Sequence, residues 1–188
     1  MIRETKQLII GGARSGKSAH AEKLAHAAEA GGGRVIYIAT AAAGDAEMAA
    51  RIARHRAHRP PHWRTEETAL PLASTLREMA APDVFIIVDC LTLWLNNLFF
   101  AGNAAARAET GEEIDCPLLR GEIAALEIAL PHLPGQIALV SNEVGGGIVP
   151  TARLARAFAD EQGWLNQRVA ACCDKVTLMV AGLPLRLK

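Results

Sequence analysis

Eight consecutive residues, Gly11, Gly12, Ala13, Arg14, Ser15, Gly16, Lys17 and Ser18, have the types and spacing needed to hold a polyphosphate. They match G-x-x-x-x-G-K-[ST], a phosphate-binding loop. Gly11 and Gly16 let the backbone turn tightly and approach phosphate without a Cβ in the way. Backbone N–H groups then form a concave nest at a helix N-terminus, where negative charge is favoured. Lys17 is expected to set a point charge on the β- and γ-phosphates, and Ser18 to ligate Mg²⁺ through its hydroxyl. The apolar run before the motif and the helix-forming run Ala19 to Ala30 after it supply the strand and helix that such a loop requires.

A phosphate loop also needs a carboxylate at the end of another strand, to orient the metal. The apolar run Val84 to Val88 ends in Asp89 and supplies one. Asp89 is expected to hold Mg²⁺ directly or through water. The alternative is that it caps the following helix.

The segment Arg51 to Arg64 holds five arginines and three histidines in fourteen residues. Asp45 suits a helix N-cap and Pro60 a helix stop. Met48, Ile52 and His55 share one helical face, whereas Arg51, Arg54 and His58 lie on another. Spacing alone favours a solvated basic helix with one half-buried histidine. A zinc site from His55, His58 and His62 is not expected, because no cysteine or carboxylate stands at ligand spacing within the run. A last segment, Asn142 to Pro150, places three glycines after Glu143 at a strand end. Open parallel sheets bind ligands at such ends, so it reads as a mobile loop over a ligand or as a plain flexible turn.

These groups need a scaffold. At 188 residues, 51% hydrophobic, residues 1–188 are expected to form a single nucleotide-binding domain with a full core. The formal net charge of zero removes any general pull toward nucleic acid or anionic lipid. No apolar run is long enough to span a bilayer and the first residues do not read as a signal peptide, so a cytoplasmic protein is expected. The cysteines Cys90, Cys116, Cys172 and Cys173 lack metal-binding spacing and suit reduced core positions.

Strands are predicted at Gln7–Gly11, Arg34–Ala39, Val84–Asp89, Gln136–Ser141 and Lys175–Val180, with a short edge strand at Leu185–Lys188. Helices are predicted at Lys17–Ala30, Ala46–His58, Leu70–Ala80, Leu91–Ala101, Leu118–Leu130 and Thr151–Cys173. Alternating apolar strands and helices imply an α/β fold with a mainly parallel sheet. Gly102–Pro117 reads as a loop, the best place for disorder or a lid.

In chain order, the motifs Gly11–Ser18, Tyr37–Thr40, Glu47–Ile52, His55, His62–Thr65, Asp89–Trp94, Ser141–Gly145 and Asn166–Arg168 resemble the bifunctional adenosylcobinamide kinase/adenosylcobinamide-phosphate guanylyltransferase family of cobalamin biosynthesis. The resemblance spans nearly the whole chain. It implies a P-loop NTPase-like, RecA-like sheet with helices on both faces, associating as a homotrimer. It implies two reactions with GTP and ATP as nucleotide substrates and Mg²⁺ as cofactor. Adenosylcobinamide is first phosphorylated on its aminopropanol hydroxyl. GMP then passes from GTP to adenosylcobinamide phosphate through a histidine–GMP phosphoramidate, giving adenosylcobinamide-GDP and pyrophosphate.

His55 matches the nucleophile of that family, and Lys17 the phosphate-binding lysine. Members often carry a second histidine just before the nucleophile; here Arg54 stands there. Nucleotide contacts implied by position are Gly11 to Ser18, Ala39, Thr40, Ala41, Arg56, Ala57, His58, Arg59, Glu67 and Asp89. Some members have glutamate where Asp89 stands, and either carboxylate suits Mg²⁺. Neutral imidazole is a competent nucleophile. The arginines around His55 are expected to neutralise the triphosphate and to lower the histidine's pKa by like-charge repulsion. Two other readings compete: a small-molecule kinase without guanylyl transfer, and a nucleotide-dependent RNA-binding module. The zero net charge and the lack of aromatics around Trp63 weigh against the second.

Overall fold

The computed structural model describes residues 5–41 and 60–188. The helix expected at Ala46–His58 lies outside the described residues. Chain order is β1 (Thr5–Gly11), α1 (Lys17–Ala30), β2 (Arg34–Ala39), β3 (Arg64–Glu67), α2 (Leu72–Met79), β4 (Val84–Asp89), α3 (Leu91–Ala101), α4 (Ala104–Thr110), α5 (Pro117–Ala129), a 3₁₀ turn (Leu130–His132), β5 (Gln136–Asn142), α6 (Arg153–Cys172), β6 (Lys175–Val180) and β7 (Leu183–Arg186).

The strands form one seven-stranded sheet in the order β3-β2-β4-β5-β1-β6-β7. Among the described strands only β7 runs antiparallel, paired with β6. Alternate residues of each strand face opposite layers. Leu8, Ile36, Ile38, Ile86 and Val88 pack with Trp94, Leu98, Leu126 and Leu165 on one face. Ile9, Tyr37, Phe85, Ile87 and Val140 pack with Ala21, Ala25 and Trp63 on the other. This double covering explains why the central strands are apolar nearly throughout. The expected mainly parallel α/β sheet with helices on both faces is thus what forms.

The chain departs from expectation in four places. The polar run Arg64–Glu67 forms edge strand β3, pairing Ile36 with Arg64 and Ala39 with Glu67. The expected strand at Leu185–Lys188 begins earlier, at Leu183, because a tight turn at Ala181–Gly182, both with positive φ, folds it back on β6. Gly102–Pro117 is no lid: it contains α4, whose Ala104, Ala105 and Ala108 are buried in the main core. Its small side chains allow close helix approach, which composition alone read as loop. Cys173 follows the last turn of α6 rather than lying within the helix, although it is buried as expected.

Candidate active site

Parallel strands bring their carboxyl ends to one edge of the sheet, and three of the sequence motifs meet there. β5 lies between β1 and β4, pairing Gly11 with Asn142 and Asp89 with Val140. The phosphate loop and the Asp89 carboxylate therefore flank the tip of a single strand.

The loop has the backbone that its glycines predict. Gly11 and Gly16 take φ of 153° and 97°, and Arg14 is left-handed at 57°. A Cβ on Gly11 would stand 2.5 Å from the Met179 carbonyl oxygen and 2.7 Å from Ser15 Oγ. α1 starts at Lys17 with no side-chain cap, so its first N–H groups remain available to an anion. The Gly182 N–H donates to the Ser15 carbonyl at 3.0 Å, which ties the β6–β7 turn to the loop. Ser15 Oγ is buried with no hydrogen-bond partner among the described residues.

Lys17 is buried, and its Nζ donates to the Gly12 carbonyl at 2.6 Å. Burial pushes its pKa below the ordinary lysine value, against the raising field of Asp89. A desolvated ammonium with one carbonyl partner is poised to gain from a phosphate.

Asp89 ends β4 and is half-buried. Its Oδ2 accepts the Tyr37 hydroxyl at 2.5 Å across the β2–β4 pair. Oδ1 has no hydrogen-bond partner among the described residues. The helix-cap alternative finds no support, because Cys90 is the N-cap of α3 and no side chain caps that helix. Ser18 is half-buried in the first turn of α1. One hydroxyl and one carboxylate with an open oxygen form a hard-oxygen donor set. That suits Mg²⁺, which keeps water and substrate phosphate as its other ligands. The adjoining Cys90 thiol is pushed up to about 11 by burial, with Asp89 adding to the effect, so it stays neutral and unreactive.

Thr40 and Ala41 continue past β2. Thr40 is fully buried; its hydroxyl donates to the Cys90 carbonyl at 2.7 Å and accepts the Cys90 N–H at 2.9 Å. Asn97 Nδ2 donates to the Thr40 carbonyl at 2.7 Å. Glu67 lies exposed at the end of β3, opposite Ala39. His55, Arg56, Ala57, His58 and Arg59 fall outside the described residues. The described chain resumes at Pro60, and His62 and Trp63 dock on α1: His62 Nε2 and Trp63 Nε1 meet Glu29 Oε1 at 2.7 and 3.1 Å. His62 thus has a carboxylate partner of its own.

Sequence reasoning placed Gly11–Ser18, Thr40 and Asp89 near one another. It missed the roles of Tyr37, Asn97 and Thr92, whose hydroxyl accepts the Asn142 N–H at 2.8 Å. Tyr37 and Thr92 signalled themselves only as members of the motifs Tyr37–Thr40 and Asp89–Trp94, and Asn97 lies outside every motif. The glycine segment after Asn142 is exposed from Glu143 to Val149, and Glu143 Oε1 accepts the Gly145 N–H at 2.9 Å.

Comparison with known proteins agrees with this geometry. Two solved structures share the fold. A flagellar accessory protein FlaH from Methanocaldococcus jannaschii matches at TM-score 0.50 and 12% identity, covering 100% of this chain and 80% of that one. An ATPase from a type III secretion system of pathogenic bacteria matches at TM-score 0.52 and 11% identity, covering 97% and 56%. Among curated relatives, the bifunctional adenosylcobalamin biosynthesis protein CobP of Pseudomonas aeruginosa is 53% identical over 97% of both chains. The corresponding CobU proteins of Salmonella typhimurium and Escherichia coli are 43% and 41% identical, each over 96% of this chain and 98% of the relative. The family model for cobinamide kinase / cobinamide phosphate guanyltransferase matches residues 7–187. With a phosphate loop, a strand-end carboxylate and a match that runs almost end to end, the chain belongs to the cobinamide kinase / cobinamide phosphate guanyltransferase family.

Proposed function

We propose that residues 1–188 act as one nucleotide-binding domain that phosphorylates adenosylcobinamide with ATP or GTP and then converts the product to adenosylcobinamide-GDP. The observation that carries this reading is the pairing of a buried, under-partnered Lys17 in an intact phosphate loop with Asp89 across the tip of β5.

In the first reaction the loop N–H groups and Lys17 hold the triphosphate. Ser18 and Asp89 would hold Mg²⁺, which would screen the charge that develops on the phosphates. Tyr37 keeps the Asp89 carboxylate in one orientation through its hydroxyl. The acceptor hydroxyl attacks the γ-phosphorus in line and a nucleoside diphosphate leaves. In the second reaction the neutral imidazole of His55 attacks the α-phosphorus of GTP. The bond to the β-phosphate oxygen breaks, pyrophosphate leaves, and a His55–GMP phosphoramidate forms. A phosphate oxygen of adenosylcobinamide phosphate then attacks the same phosphorus and releases the imidazole. Ala39, Thr40, Ala41, Arg56, Ala57, His58, Arg59 and Glu67 are assigned to the nucleotide by their positions in the family motifs. A homotrimer in the cytoplasm is the expected working form, with a cleft between neighbours suiting a substrate as large as a corrinoid.

The test is incubation with α-labelled GTP followed by mass spectrometry under alkaline handling, since a phosphoramidate is acid-labile and fairly stable to base. A GMP mass on His55 is expected. His55→Ala should lose guanylyl transfer and keep phosphorylation of adenosylcobinamide. A GMP mass on His58, His62 or a lysine would overturn the assignment. Light scattering that gave a monomer would remove the trimer.

A further inference from the structure

Two motifs that the nucleotide site leaves unused meet directly behind it. Ser141 and Asn142 close β5, whereas Asn166 lies 25 residues beyond Ser141 on α6. Ser141 and Gln162 are 0% exposed and Asn166 is 7% exposed. The Ser141 hydroxyl donates to Asn166 Oδ1 at 2.6 Å. Gln162 Nε2 donates to Ser141 Oγ at 3.0 Å and to Asn166 Oδ1 at 3.1 Å. Asn166 Nδ2 reaches out of this knot and donates to the Asn142 carbonyl at 3.1 Å.

The same strand end is gripped from two other directions. The Asn142 N–H donates to Thr92 Oγ1 of α3 at 2.8 Å, and the Glu143 N–H donates to the Gly11 carbonyl at 3.0 Å. The tip of β5 is thus fastened to α6, to α3 and to the first residue of the phosphate loop. Buried polar groups are costly unless bonded, and apolar side chains of similar volume would fill this space without that cost. The knot even leaves Gln162 Oε1 buried with no partner among the described residues, and a buried unsatisfied group in a native core calls for a reason. A directed amide bond does one thing that apolar packing cannot: it sets the orientation of the Asn142 carbonyl, and with it the path of the strand end.

We propose that Asn166 is a positioning residue for both phosphate reactions. It keeps the Asn142–Glu143 end of β5 in place between the phosphate loop and Asp89. This rests on the nucleotide-site reading above. Misplacing a reacting group by about 1 Å can cost roughly a hundredfold in rate, so small shifts of this strand end should be visible.

The test compares Asn166→Asp, Thr92→Val and Val169→Ala in the full-length protein. Asn166→Asp keeps an oxygen to accept from Ser141 and Gln162 but cannot donate to the Asn142 carbonyl. Thr92→Val removes the grip from α3 and leaves the α6 knot intact. Val169 is buried on α6 one turn from Asn166 and touches none of these bonds. Melting temperature, kcat and KM for GTP are measured for each half-reaction. Asn166→Asp and Thr92→Val are expected to lower kcat by about ten- to a hundredfold, with little change in KM. Val169→Ala should lower the melting temperature and leave kcat unchanged. An unchanged kcat in folded Asn166→Asp would overturn the proposal, as would an equal fall in Val169→Ala. If Asn166→Asp does not fold, an unchanged kcat in Thr92→Val overturns it and a lowered kcat supports it. Failure of the nucleotide-site reading would show separately, as wild-type GTP binding in a Lys17 variant.

Discussion

Replacing Lys17 with methionine should leave the empty protein about as stable as before while removing its response to nucleotide. Methionine keeps most of the aliphatic stem and removes the charge. The loss is one charged hydrogen bond to the Gly12 carbonyl, worth about 1.5–3 kcal/mol. The gain is relief from desolvating the ammonium, which opposes that loss. The two terms nearly cancel, so the melting temperature should move by no more than about 4 °C for a chain of this size. In wild type, GTP at a hundred times its Kd stabilises by about 2.7 kcal/mol, or roughly 5–11 °C. If the lysine contributes about a hundredfold to binding, the same GTP stabilises the variant by only about 0.4 kcal/mol. Both half-reactions should fall by about 10²–10³. The pH response has a definite sign. Because the folded-state pKa of Lys17 is lowered, the unfolded chain binds the extra proton just below the ordinary lysine value. Wild-type stability should therefore rise with pH through that window relative to the methionine variant. Differential scanning fluorimetry with and without Mg²⁺–GTP, repeated across alkaline pH, reads all three effects. A loss of several kcal/mol in the empty protein, or an unchanged GTP shift, would refute the reasoning.

Asp89→Asn should weaken Mg²⁺-dependent turnover far more than folding, because the Tyr37 hydroxyl can still donate to the amide oxygen; Mg²⁺ titrations of activity beside thermal melts check this. Tyr37→Phe removes a hydrogen bond to a carboxylate, so chemical denaturation should show a loss of about 1.5–3 kcal/mol, together with a higher Mg²⁺ requirement. Gly11→Ala forces a Cβ against the Met179 carbonyl and Ser15 Oγ at a φ that favours glycine. It should cost about 1–3 kcal/mol in backbone strain and abolish GTP-dependent thermal shifts.

Local chemistry determined the parts that the sequence made legible. Gly11–Ser18 needs only its own backbone and the adjoining strand and helix to form a cradle, so its residue types announce it. Val84–Asp89 and Arg34–Ala39 were readable because strands covered on both faces must be apolar throughout. Other features belong to partners far away in the chain. Arg64–Glu67 has no apolar pattern and becomes a strand because β2 supplies its hydrogen bonds. Ala104–Thr110 became a packed helix because the surrounding core covers its alanines. The placing of β5 between the phosphate loop and Asp89 is a matter of sheet order, which adjacent residues do not encode. Tyr37 and Asp89 are separated by 52 residues, and Asn166 and Asn142 by 24. Each pair forms only once the sheet has aligned its strand ends and α6 has docked behind them. The sequence alone pointed to the groups proposed to bind phosphate. Tertiary structure decided which neighbours orient them, because a hydrogen bond between distant residues needs both elements packed in register before its donor and acceptor can meet.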